Sequence, residues 1–241
     1  MNKELTVILA GFFVLAFSIV TISGAQTMKN EGLNAKQRKI VTIAAFTANS
    51  DMQKLKTALN VGLDAGLTVN EIKEVLVQMY AYCGFPRSLN GISTFMSVME
   101  EREKKGIKDE IGREANPLPA NKSSIELGTE IQTRLVGRPV TGATYTFVPA
   151  IDQFLKGHLF GDIFGRDNLD FQSREIATIS ALANMEGVNP QLQSHFNVAF
   201  NVGLTEAQMR SLISVLEAKV GKKEADNAHG VLGKVLSSRT K

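Results

Sequence analysis

Cysteine is nearly absent from this chain. One residue, Cys83, occurs in 241, so no intramolecular disulfide can form even in an oxidising compartment, and stability has to come from packing. Charge of one sign is also scarce, with 27 basic against 24 acidic side chains and a net charge of +3. The basic residues are dispersed among acids, as in "EEREKKGIKDEIGRE", rather than interleaved with aromatics. That pattern argues against nucleic-acid binding and fits a solvated helix face or linker. The three histidines, His158, His195 and His229, show no ligand spacing such as His-x-x-x-His, so no metal site is expected. No cofactor is expected either: "GRPVTGATY" has the glycines of a phosphate-cradling loop but lacks its Lys-Ser/Thr. Sustained period-two alternation is missing too. Apolar residues recur at spacings of three and four, which predicts helices throughout and an all-α fold.

The length allows one large or two small domains. The start, "MNKELTVILAGFFVLAFSIVTISGAQT", has a short charged region, an apolar run from Leu5 to Ile22 and small residues at Ser23-Gly24-Ala25. It is expected to be a cleaved export signal covering 1–25, with Gln26 opening an exported, periplasmic or extracellular protein that has no membrane association after cleavage. The alternative is a membrane anchor formed by residues 5–22, a run that barely reaches the ~20 residues a bilayer requires.

Beyond the signal the chain repeats itself. "KTALNVGLDAGLT" (56–68) returns as "QSHFNVAFNVGLT" (193–205), sharing Asn60/Asn197, Val61/Val198 and a closing Gly-Leu-Thr. Thr68 is followed three residues later by Glu71, and Thr205 by Gln208. Both are capping boxes, in which the two side chains satisfy backbone N–H groups left free at a helix start. Gly66 and Gly203 would end the preceding helices. From these anchors the segment starting at 33 aligns with the one starting at 169, with one residue inserted between the first and second helices of the second copy. The layout predicted is a first repeat at 26–105, a linker with a helix near 123–135 at 106–145, and a second repeat at 146–241, the copies packing as a pseudo-dimer.

The second copy resembles the carboxymuconolactone decarboxylase family, relatives of alkyl hydroperoxidase D. The resemblance rests on "L-x-x-x-x-R-E-I-A-T-I-S-A-L", a following helix with His and then Ala four residues on, and "N-V-G-L-T" before an amphipathic helix. "EVLVQMYAYCGFPRSLNG" (74–91) looks like the same family's closing segment. The resemblance implies an alkyl hydroperoxidase D-like helical bundle that associates into homo-oligomers, here a trimer of two-repeat chains or a dimer. It also implies a catalytic glutamate at Glu175 and histidine at His195. The first copy has Lys39 and Ala58 there, so the site is expected in the second copy alone. The peroxidase branch needs a cysteine pair, and its positions here hold Val188 and Gln191.

On the residues themselves, Glu175 falls in the first turn of its helix, where the helix dipole alone would favour a carboxylate, and His195 could be a core histidine. Together they can serve proton transfer, because a carboxylate holds an imidazole in one tautomer. If the two helices turn at "EGVNP", the residues are offset by ~6 Å along the hairpin at 1.5 Å rise per residue, which predicts a water or substrate between them. His158 and Arg166 are candidates for binding an anionic substrate, His158 otherwise only capping or packing its helix. Tyr82 and Cys83, in "YAYCGFPR", are candidates for the wall of the site, Cys83 otherwise being a small buried hydrophobe. The function expected is acid–base chemistry of the decarboxylase or lyase type on a small carbonyl or lactone acid. The alternatives are hydroperoxide reduction through Cys83 and a non-catalytic oligomeric binding protein.

Overall fold

Short polar side chains and left-handed glycines punctuate the chain at matching places in its two copies. The computed structural model describes residues 31–239; the expected export signal lies outside them. Helix α1 (Ala35–Asn49) starts at Asn34, whose side chain accepts the Gln37 N–H while the Gln37 side chain accepts the Asn34 N–H. Helix α2 (Met52–Asp64) is followed by Gly66 at φ 88, where the Leu67 N–H closes back on the Gly62 carbonyl. The Thr68/Glu71 capping box then opens α3 (Val69–Cys83), and α4 (Phe85–Lys104) completes the first copy. Helix α5 (Ser124–Val136), two short helices α6 (Ala143–Phe147) and α7 (Pro149–Gln153), and a π-helical segment (Phe154–Ile163) separate the copies. The second copy repeats the first order. Helix α8 (Phe171–Ala183) is capped by Asp170, and α9 (Asn189–Asn201) gives way to Gly203 at φ 92, with the Leu204 N–H on the Ala199 carbonyl. The Thr205/Gln208 box opens α10 (Glu206–Lys219), and α11 (Lys222–Arg239) ends the described chain. Among the described residues there is no strand, and no helix is long and apolar enough to cross a membrane.

The two first helices form the centre. Residues 40–48 of α1 and 173–183 of α8 are buried without interruption, the pattern of helices enclosed on every side. Ala44, Ala45 and Ala48 on one and Ala177 and Ala181 on the other let α1 and α8 pack against each other over much of their length. Around this pair the copies share partners: α3 of the first copy packs on α8 as well as on α1, and α10 of the second packs mainly on α1. One apolar core therefore spans both copies, burying large aliphatic side chains worth roughly 1.5–3 kcal/mol each.

The intervening segment forms a second layer. Residues 110 and 111 lend their carbonyls to the Val69 and Asn70 N–H groups, satisfying two free donors at the start of α3. Helix α5 and the π-helical segment then meet at backbone distance. Gly157, Gly161 and Gly165 recur every fourth residue; a Cβ on Gly161 would strike the Ser124 carbonyl, and one on Gly128 of α5 the Lys156 carbonyl. This pair packs on α9 and α3, enclosing a small core of Leu135, Leu159, Phe160, Ile163, Phe164 and Val198.

Candidate functional site

Glu175 and His195 touch. The Nδ1 atom of His195 lies 2.7 Å from Glu175 Oε2, with the carboxylate wholly buried and the imidazole side chain 14% exposed. The expectation of an intervening water or substrate is therefore corrected. Helix α8 ends at Ala183 and α9 begins at Asn189, so the turn occupies several residues rather than one point. Counted from the helix ends the axial offset shrinks to ~3 Å, which two long side chains span. A second correction concerns the helix dipole. Helix α8 begins at Phe171 and has no acidic residue in its first turn, so Glu175 lies beyond the exposed N–H groups that would favour a carboxylate there.

The pair sits at the seam of the two copies. Tyr82, from the end of α3, meets the His195 ring edge to face at 5.3 Å between centroids. Its buried hydroxyl has no hydrogen bond of good geometry, although Thr178 stands beside it. Burial first, and then the Glu175 charge, push the Tyr82 phenol far above its ordinary range, so it stays protonated. Two further atoms are unpaired here. Among the described residues Glu175 Oε1 is buried without a partner, and His195 Nε2 makes no hydrogen bond. An imidazole with Nδ1–H held by a carboxylate has its lone pair on Nε2. That nitrogen is the one left for a ligand.

The remaining candidates take different places. Cys83, next to Tyr82, is half-buried; its thiol points to the Met79 carbonyl at 2.9 Å, and burial pushes it up to about 11 despite the opposing charge of Arg87. His158 pairs with Asp162 one turn on, 2.9 Å away, and tilts against the Tyr80 ring at 5.5 Å. Arg166 donates to both oxygens of the buried Glu74 at 3.1 and 2.9 Å, so its charge is matched within the protein. No cluster of three or more metal-ligating side chains exists among the described residues.

A polar cluster that sequence reasoning missed lies behind the pair. Glu74, Gln78 and Tyr82 recur every fourth residue on α3 and face α8. Arg174, fully buried, donates to Glu74 at 2.8 Å, to Gln78 at 2.9 Å and to the Arg166 carbonyl at 2.7 Å, and lies over the Phe164 ring. Gln78 in turn donates to the Arg174 carbonyl and to the Thr178 hydroxyl, both at 2.9 Å. A signal was available: in the repeat alignment these α3 positions fall on Ser211, Val215 and Lys219, so an amide stands at 78 where the other copy is aliphatic and a carboxylate at 74 where it has a hydroxyl.

Compared with known proteins, residues 17–93 match the model of the "Carboxymuconolactone decarboxylase family". The match covers the first copy, the one without the acid and the histidine, and begins inside the stretch expected to be an export signal. Over 82 residues the chain is 32% identical to an "Uncharacterized 15.0 kDa protein in nqo9-nqo10 intergenic region" of Paracoccus denitrificans, which amounts to 33% of this chain. The chain spans 61% of that relative's length.

Proposed function

Starting from the match of residues 17–93 to the carboxymuconolactone decarboxylase family, we propose that the chain belongs to that family and is an acid–base enzyme of the decarboxylase or lyase type acting on a small carbonyl or lactone acid. The observation that carries this reading is the 2.7 Å contact of His195 Nδ1 with a buried carboxylate while Nε2 has no partner. Glu175 fixes the tautomer, and Nε2 takes a proton from the substrate or, once protonated, delivers one. In decarboxylation the bond to the carboxylate carbon breaks, its electron pair moves into the conjugated carbonyl or lactone, carbon dioxide leaves, and Nε2–H protonates carbon. The Glu175 charge stabilises the imidazolium in between. Tyr82, held protonated, is an O–H donor beside the same ring. The raised Cys83 thiol counts against hydroperoxide reduction, because the thiolate is the reactive form.

The test is a panel of lactones, keto acids and hydroperoxides offered to the wild type, His195→Ala and Glu175→Gln. Turnover of a lactone or keto acid that both substitutions cut by ~10² or more is the expected result. Turnover of hydroperoxides that thiol blocking abolishes would replace this reading with peroxidase chemistry, and turnover of nothing would favour a binding protein. We further infer, on sequence alone, export with Gln26 as first residue and assembly as a homo-oligomer. N-terminal sequencing and sedimentation test these two points.

A further inference from the structure

We propose that Gln78 of the first copy is a positioning residue for the Glu175–His195 pair of the second, clamping the turn of α8 from which Glu175 projects. The inference rests on the reading of that pair as the proton-transfer group. Gln78 is fully buried and uses its amide on both sides of Glu175: Nε2 donates to the carbonyl of Arg174, the residue before it, and to the hydroxyl of Thr178, three residues after, while Oε1 accepts from the Arg174 guanidinium. Glu74 holds the other guanidinium nitrogen, so the side chain preceding Glu175 is anchored at two points to α3.

Two observations separate positioning from mere packing. Burying a guanidinium and a carboxylate costs several kcal/mol per ion before their attraction is counted, and apolar residues of similar size often serve stability as well or better. The equivalent packing of α10 on α1 has no such ion pair, with Val215 where Gln78 stands and Ser211 where Glu74 stands. The arginine itself persists there as Arg38, yet it is exposed and, among the described residues, bonds only the Leu33 carbonyl. Clamp and acid–histidine pair are thus present together on one side of the molecule and absent together on the other.

The experiment reads the His195 ring directly. With only three histidines, the full chain labelled with 15N-histidine gives few signals, and His195→Ala identifies the one required. The wild type is expected to show His195 as the Nδ1–H tautomer, and Glu175→Gln to lose that preference. Gln78→Leu is expected to lose the Nδ1–H majority as well. Should it not fold, Gln78→Glu, which retains an acceptor for Arg174 but loses both donations, is expected to do the same. Thr47→Val, which removes a buried hydroxyl bonded only within α1, should leave His195 unchanged. A folded Gln78 variant with the wild-type tautomer, or a Thr47→Val shift as large as that of Gln78→Leu, would overturn the clamp while leaving the pair intact. A wild-type ring insensitive to Glu175→Gln would remove the pair, and the clamp with it.

Discussion

At the residue scale, the burial of Glu175 decides what substitutions there will do. His195→Ala leaves a wholly buried carboxylate with neither oxygen paired, and breaking a buried pair from one side costs about 3–5 kcal/mol. Glu175→Gln leaves a neutral amide that can pair with either tautomer of the ring, and should cost far less. The expected pattern in thermal melts is a large loss for His195→Ala, a small one for Glu175→Gln, and partial recovery in His195→Ala/Glu175→Leu, where no carboxylate remains. None of the three should retain activity. Equal losses for the two single variants would show the carboxylate to be uncharged in the native protein. Cys83 supplies a pH prediction. With its thiol at about 11, alkylation of the native protein should be slow at neutral pH, accelerate as pH rises toward that value and, at complete modification, leave the proposed activity in place. Rapid labelling at pH 7 would contradict the burial.

Elements were legible in the sequence where their signals are local. The Thr68/Glu71 and Thr205/Gln208 boxes and the glycines before them stand where the alignment put them, because a cap depends on three or four neighbouring residues. The linker helix expected near 123–135 is α5, opened by a Ser123/Glu126 box. What depends on packing between distant segments was not legible. The Glu74–Arg174–Gln78 cluster exists only because α3 lies on α8, and the acid–histidine contact was misjudged because the turn between their helices was treated as a point. The π-helical stretch also escaped, its apolar run with glycine every fourth residue having the spacing of an ordinary helix. Those glycines give a prediction at this scale. Gly161→Ala places a methyl against the backbone carbonyl of Ser124, which cannot rotate aside, and overpacking of this kind costs typically 1–3 kcal/mol. A lower melting temperature with faster amide exchange in α5 is expected; wild-type exchange there would show that the two helices part more easily than their contact implies.

For the whole molecule, the continuous burial of α1 and α8 means that neither copy encloses a core by itself. A protease site inserted at the exposed residues 119–121 should therefore yield two fragments that stay together through gel filtration. The same fragments expressed separately should be insoluble or unfolded, since each would expose an apolar helix face and half of the Arg174 network. Two soluble, folded half-chains would contradict the single shared core.

The packing of α3 and α10 across the two copies also bears on how such a molecule can change. In an assembly of identical chains, every substitution at a two-fold contact appears twice, so a side chain that improves one site while harming its mirror image is under conflicting demands. Joining the copies end to end removes that coupling: position 78 can become an amide while its counterpart, 215, stays aliphatic. The chain can thus concentrate its buried polar groups on one side and leave the other without them. A framework of two similar halves built this way has one of them free to change its side chains at no cost to the other.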